Sequence, residues 1–326
     1  MLCVLALAGS ACRRSTLPDA LSDRDFWSLI ETLSEPAGVF TLSENFVSNE
    51  PHFADTVRRL RASGGAYIGV GPEQNFSYIA KLRPRIAFII DIRRENLALL
   101  LFYKALFELS TDRADFVSRL FSRPRPPTLK SSADVEEIFR QYDGVAVSPE
   151  LFARTRALVR ERLLTTRGLP LPQGDLDWID RAFKAFYDDG PKIDYYGARP
   201  LDAIRPSYRQ LMTMKDLTGR YRSFLATESG FAFVKEMQTN NLIVPVVGDF
   251  GGPSAMYRVG DYVRAHKDRI HVLYASNVGV YLTNQQTYMF CASLATLPVA
   301  TVAWFVESDG MKPFDTRLKA CRPGGK

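Results

Sequence analysis

A chain of 326 residues with 46% apolar and 24% charged residues has the makeup of an ordinary globular protein, which excludes a disordered chain and leaves room for one sizeable core or a core with a sub-domain. Its net charge of +6 and pI of about 9.1 come from 42 basic against 36 acidic residues, thickened only over 119–130 and 154–167, without the dense basic stripe and interleaved aromatics of a nucleic-acid surface. Cys3, Cys12, Cys291 and Cys321 form no CxxC, and His52, His266 and His271 offer one pair at a spacing of five, so neither set predicts a metal site.

Residues 1–12, Met-Leu-Cys-Val-Leu-Ala-Leu-Ala-Gly-Ser-Ala-Cys12, are an apolar run ending in small residues before a cysteine. The pattern resembles a bacterial lipoprotein signal, in which Cys12 would carry the lipid. It departs from such a signal in having no basic residue ahead of the run and Gly9 where leucine is usual. An apolar first helix is the alternative reading. No stretch approaches the roughly eighteen apolar residues of a membrane span.

Residues 13–62 read as a helical lead-in, with a helix start at 22–25, a loop over 38–51 and helical spacing over 53–62. The sheet then begins. A strand at 66–70, a helix near 74–82, a strand at 86–90 and a long helix over 93–109 follow in order, the last apolar on most faces and therefore expected to be buried. Arg123-Pro-Arg-Pro-Pro127 breaks this pattern, and helices near 133–141, 149–165 and 175–187 make 123–228 a helical insertion, predicted to act as a lid. Beyond it come a helix at 229–239, a strand at 242–247, a helix at 254–266, a strand at 270–275, a helix at 284–296 and a strand at 299–306. The alternation over 63–122 and 229–310 predicts an α/β fold, a doubly wound and mainly parallel sheet of five or more strands. Ligands of such sheets gather at the carboxyl ends of the strands.

Those ends carry the residues of interest. Gly69 and Gly71 stand where the first strand turns into its helix, a place where glycine lets a ligand approach the backbone. A GxGxxG fingerprint would need glycine at 74; Gln74 argues against a dinucleotide whose pyrophosphate packs on that helix. Asp91 ends the second strand at the distance where a carboxylate accepts from ribose hydroxyls, although a strand-terminal Asp can also merely cap the next helix. Glu73 and Arg93 flank these positions and are grouped with them. Asp249, after the third strand, could accept from an adenine amino group with Phe250 against the ring, or could be a turn residue before Gly251-Gly252. Glu44, Asn45, Asn49 and Glu50 in the lead-in loop, with Tyr195 and Tyr196 in the insertion, could close over a ligand, while Arg205 and Arg209 could hold an anion.

In this order, the Gly69-Val-Gly71 turn, Asp91, Gly248-Asp249-Phe250 and Ser276-Asn277-Val resemble the motifs of class I S-adenosylmethionine-dependent methyltransferases, over roughly 65–110 and 229–306. The resemblance implies S-adenosylmethionine as cofactor, with Gly69 and Gly71 at its methionine moiety, Asp91 at the ribose, and Asp249 and Phe250 at the adenine. It implies Asn277 and Tyr281 as the catalytic pair at the mouth of a pocket for a small-molecule or peptide-like acceptor. Methyl transfer needs mainly alignment, so such a site can be nearly bare of catalytic side chains. The chain departs from the family in lacking an Asn-Pro-Pro-Tyr motif and in having only about twenty residues after Val306, where the family adds an antiparallel hairpin. Asp91-Ile-Arg-Arg-Glu-Asn and Ser118-Arg-Leu-Phe-Ser-Arg123 are also similar to uncharacterised bacterial proteins. Two other readings compete: a non-catalytic binding protein on the same fold, exported and lipid-anchored at Cys12, and an NAD(P)-dependent oxidoreductase. Location follows function, cytoplasmic for an active methyltransferase and periplasmic or membrane-anchored for the exported protein.

Overall fold

The structure, a computed structural model, describes residues 15–40, 44–61, 64–195 and 205–321. The run at 1–12 with its Cys12, and Tyr196, lie outside them. Six strands form one sheet in the order β3-β2-β1-β4-β5-β6: β1 (Ala66–Val70), β2 (Ile86–Asp91), β3 (Ile243–Val247), β4 (Ile270–Ser276), β5 (Val299–Glu307) and β6 (Gly310–Pro313). The first five are parallel and β6 runs antiparallel to β5. Ala66-Tyr-Ile-Gly-Val70 and Ile86-Ala-Phe-Ile-Ile-Asp91 are nearly continuous apolar runs because a central parallel strand is covered on both faces. Pro245 is tolerated because β3 is the outermost strand on its side, where one row of N–H groups has no ladder to join. The expected α/β sheet is therefore present. The short chain after Val306 still closes it with an antiparallel hairpin, in four residues.

Two helical layers cover the sheet. On one face lie α3 (Gln74–Leu82), α4 (Arg94–Leu109) and α10 (Glu228–Thr239), and on the other α1 (Asp23–Leu33), α11 (Ala255–Ala265), α12 (Asn284–Thr296) and α13 (Phe314–Ala320). The lead-in supplies α1, whose N-terminus is capped by the Ser22 hydroxyl accepting from the Asp25 N–H at 3.1 Å, and the short α2 (Phe53–Arg59). Helix α5 (Arg113–Phe121) follows α4, and the insertion contributes α6 (Val135–Gln141), α7 (Pro149–Arg160) with a π-helical continuation over Glu161–Thr166, α8 (Gln173–Asp189) and α9 (Tyr208–Met212).

Helix α4 explains where the insertion goes. It is buried from Asn96 to Phe107, so one flank meets the sheet and α10 while the other needs cover of its own, which α7 and α8 supply. Arg94 reaches Asp175 of α8 at 2.7 Å, and Lys104 pairs with Glu108 at 3.0 Å deep in the packing. The insertion is thus mainly a second helical layer behind α4. Among the described residues only its Tyr195 reaches the ligand edge of the sheet.

Candidate functional site

The glycine turn after β1 is locked from behind. The Asn75 side-chain amide donates to the carbonyls of Val70, Gly71 and Pro72 at 2.9, 3.1 and 2.7 Å, its oxygen accepts from Tyr67 Oη at 2.9 Å, and Asn96 also donates to the Gly71 carbonyl at 3.1 Å. Gly69 is glycine because of this lock: a Cβ there would sit 1.9 Å from Asn75 Oδ1. Gly71 is glycine for two other reasons. Its φ of +77° is left-handed, and a Cβ would enter open space in front of the turn.

At the tip of β2, Asp91 is 6% exposed and both its oxygens are engaged by Arg93, with Nε to Oδ1 and Nη2 to Oδ2 each at 3.1 Å. The backbone N–H of Arg93 adds a bond to Oδ1 at 2.9 Å. Arg93 Nη1 donates to the Glu44 carbonyl at 2.9 Å, and its guanidinium lies over the Phe40 ring, so the lead-in loop is fastened to the strand tip. At the tip of β3, Asp249 Oδ1 accepts from the Gly251 N–H at 2.8 Å and Oδ2 from Gln286 Nε2 at 2.7 Å, which makes it a turn residue as well as a wall residue. Phe250 packs edge-on against Phe290. The N-terminus of α11, a natural anion seat, is filled by the chain's own Glu35, whose Oε1 accepts from the N–H groups of Ser254 and Ala255 at 2.6 and 2.5 Å.

At the tip of β4, Ser276 has a φ of +48°, a strained value for a residue with a side chain. Its hydroxyl donates to Glu50 Oε1, which also accepts from Tyr274 Oη at 3.1 Å. Glu50 is 4% exposed, and burial pushes its carboxyl up from the usual range. Beyond Ser276, Asn277 Nδ2 donates to Tyr281 Oη at 3.3 Å, and the Tyr281 ring meets Phe40 edge to face at 5.2 Å.

These tips enclose a cavity of about 360 Å³, within the size range of small-ligand sites. It lies outside the carboxyl ends of β1 to β4, where the sheet order switches from β1 to β4. Seven of the residues expected from the sequence line it: Gly71, Asp91, Arg93, Asp249, Phe250, Asn277 and Tyr281. Gly69 and Glu73 do not. Gly69 makes room for Asn75, and Glu73 is fully buried behind the turn, where its carboxylate accepts from the Ser48 N–H at 3.2 and 3.1 Å. Burial, partly offset by those bonds, raises the Glu73 carboxyl to about 7. Of the loop candidates, Asn45, Asn49 and Tyr195 line the cavity, Glu50 backs it, and Glu44 pairs with Arg181 at the surface. Arg209 pairs with Asp143 instead of forming an anion site.

Sequence reasoning missed Phe40, Ser48, Tyr274 and Gln286 in the wall, and Glu35 and Asn75 behind it. The one available signal was the pair of amides Gln74-Asn75 in the first turn of the helix, directly after the glycine turn. Among the described residues, no group of three or more His, Cys, Asp and Glu could hold a metal ion, and no helix is long and apolar enough to cross a membrane. His266 packs against the Tyr262 ring at the end of α11, and His271 belongs to β4.

Sheet order, crossover and pocket together define a Rossmann-like α/β protein with a cavity at its switch point. Over residues 45–166 and 177–312 the chain matches the model of a domain of unknown function, DUF7790, and it belongs to that family. A search of curated proteins finds no match. The family match runs through most of the helical insertion, so the insertion is part of the family's common body, and the break at 167–176 takes in the loop after the π-helical turn and the first turn of α8.

Proposed function

We propose that the cavity binds an adenosyl ligand, S-adenosylmethionine, and that the chain is a methyltransferase-like protein. The observation that carries this reading is the convergence of Gly71, Asp91, Asp249 and Asn277, from four successive parallel strands, on one cavity of nucleoside size. The residues fit the ligand. Gly71 leaves open space where the methionine moiety would lie, Asp91 keeps lone pairs beyond those used by Arg93 for ribose hydroxyls, and Asp249 with Phe250 would border the adenine. Phe40, Tyr195, Tyr274 and Tyr281 give the cavity aromatic walls, which favour a sulfonium cation. When bound, that group would supply an electrophilic methyl. A dinucleotide is disfavoured, because Gln74 is fully buried beneath the turn where a pyrophosphate site needs glycine.

Calorimetric titration with S-adenosylmethionine, S-adenosylhomocysteine and NAD tests this reading. Binding of the two adenosyl ligands but not NAD is expected, weakened by Gly71→Val, which fills the cradle without removing a buried charge. No adenosyl binding by the wild type would sink it.

One observation favours a second reading, an exported binding protein on the same fold. Cys291 of α12 and Cys321 after α13 form a disulfide, a bond that persists mainly in oxidising compartments. Alkylation of freshly isolated protein without reductant distinguishes the two, since two free thiols at these positions would remove the support for export.

A further inference from the structure

We infer that Glu50, acting through Ser276, is the proton acceptor of the cavity, so that the group presented to it by the second ligand is an O–H or N–H. This rests on reading the cavity as a methyl-transfer site. Three observations carry it. Glu50 is buried and does not itself line the cavity, whereas Ser276, whose hydroxyl donates to it, does. Ser276 is held at a left-handed φ of +48° at the tip of β4, beside Asn277. Strain of this kind persists where the surroundings fix a side chain in place, and it clusters at functional sites. Finally, among the described residues the two carboxylates in the cavity wall already face strong donors, Asp91 the Arg93 guanidinium and Asp249 the Gly251 N–H and Gln286, so each is placed to accept hydrogen bonds and not to take up a proton.

The surroundings suit a proton acceptor. Tyr274 and Tyr78 face Glu50 from β4 and α3, Asp309 from the β5–β6 turn and His52 from the start of α2; burial and Asp309 raise its carboxyl, while the hydrogen bonds and His52 oppose them. The proton inventory closes. The ligand's O–H or N–H proton passes to Ser276 Oγ as the Ser276 proton passes to Glu50, which ends as a neutral acid. The pair left on the ligand's heteroatom forms the new bond to methyl, and the pair of the broken sulfur–methyl bond stays on sulfur. Glu50 and Ser276 make no covalent bond, so they act as a relay.

Glu50→Gln keeps an oxygen for Ser276 and Tyr274 but cannot take a proton. Infrared titration of the ligand-free protein is expected to show a protonated-carboxyl band persisting above the ordinary carboxylate range. One component should vanish in Glu50→Gln and a separate one in Glu73→Gln. Single-turnover transfer from labelled S-adenosylmethionine to a panel of small phenols, amines and thiols is expected for phenols or amines, at least about 100-fold slower in Glu50→Gln, with S-adenosylhomocysteine affinity unchanged and partial rescue of Ser276→Ala by Ser276→Thr. A missing Glu50 band, wild-type transfer by Glu50→Gln, transfer confined to thiols, or adenosyl binding without transfer to any phenol or amine would overturn the inference. Absence of adenosyl binding would instead sink the ligand reading, leaving the infrared band to decide the proton acceptor.

Discussion

Gly69, near the end of β1, and Gly71, in the turn after it, stand two residues apart and are glycine for unrelated reasons, which makes them separable by experiment. An added Cβ at 69 meets Asn75 Oδ1 at 1.9 Å, so Gly69→Ala must displace the side chain that holds three carbonyls of the turn. A loss of about 2 kcal/mol or more in urea unfolding is expected. Gly71→Ala meets no atom, so its cost is the left-handed backbone, about 1–2 kcal/mol, and it should also weaken the cavity's ligand in calorimetry. The sequence made both glycines visible without telling them apart, because the distinction lies in Asn75 and Tyr67. Glu73 shows the same limit. Read as a ligand residue, it is a buried clamp on Ser48. With its carboxyl raised from 4.5 to about 7, the folded protein keeps a proton that the unfolded chain has released. The penalty is therefore absent below the lower value and complete above the upper one. Stability should fall by about 3 kcal/mol as pH rises through this window, and the difference between wild type and Glu73→Gln, measured by urea unfolding at several pH values, should follow that curve. A pH-independent difference would refute the assignment.

Among the elements, helices such as Gln74–Leu82 and Ala255–Ala265 were legible because their apolar residues recur at helical spacing, and β1 to β5 because each carries an apolar run bounded by turn residues. The all-round apolar character of α4 also announced its burial, but it did not say what covers it. Amphipathic spacing gives a helix its inner face and leaves its neighbour open, so the spacing did not show that the described helices of the insertion, expected as a lid, form a layer behind α4. Strand β6, Gly310-Met-Lys-Pro313, was invisible because four residues carry no alternation. What fixes the insertion to the core is Glu108 at the end of α4, which accepts from Lys104 at 3.0 Å and from Arg167 through both carboxylate oxygens at 3.1 and 3.0 Å, while Arg167 also reaches Asp23 of α1 at 2.9 Å. Glu108→Gln leaves three cations, Lys104, Arg162 and Arg167, facing a neutral group at a buried position and should cost about 3–5 kcal/mol. Arg156→Ala removes a half-exposed pair with Asp180 on the same insertion and should cost less than about 1 kcal/mol. Equal shifts of the two urea midpoints would contradict this ranking.

At the scale of the whole molecule, the sheet's two ends are secured differently. The β3 side is covered by α1 and α4, whereas the β5 side is closed by a four-residue strand, which α2 touches, and by α13, a helix of seven residues packed on β5. A helix that short has little stability of its own. It is held by Phe314 in the core, by Arg317 against the rings of Phe290 and Phe305, and by the Cys291–Cys321 disulfide. The bond joins positions 30 apart, a separation that no sequence pattern marks and for which loop closure in the unfolded chain predicts a stabilisation of about 3–4 kcal/mol. Its mechanical reach should stop short of the cavity. Gln286, which holds Asp249, sits in the first turn of α12, and the reciprocal capping bonds between Thr283 and Gln286 fix that turn without help from Cys291. Replacing both cysteines by alanine should therefore lower the unfolding midpoint by several degrees while leaving affinity for the proposed adenosyl ligand within about twofold, a change below roughly 0.5 kcal/mol. A tenfold loss of affinity with an unchanged midpoint would mean that α13 supports the cavity and not the fold.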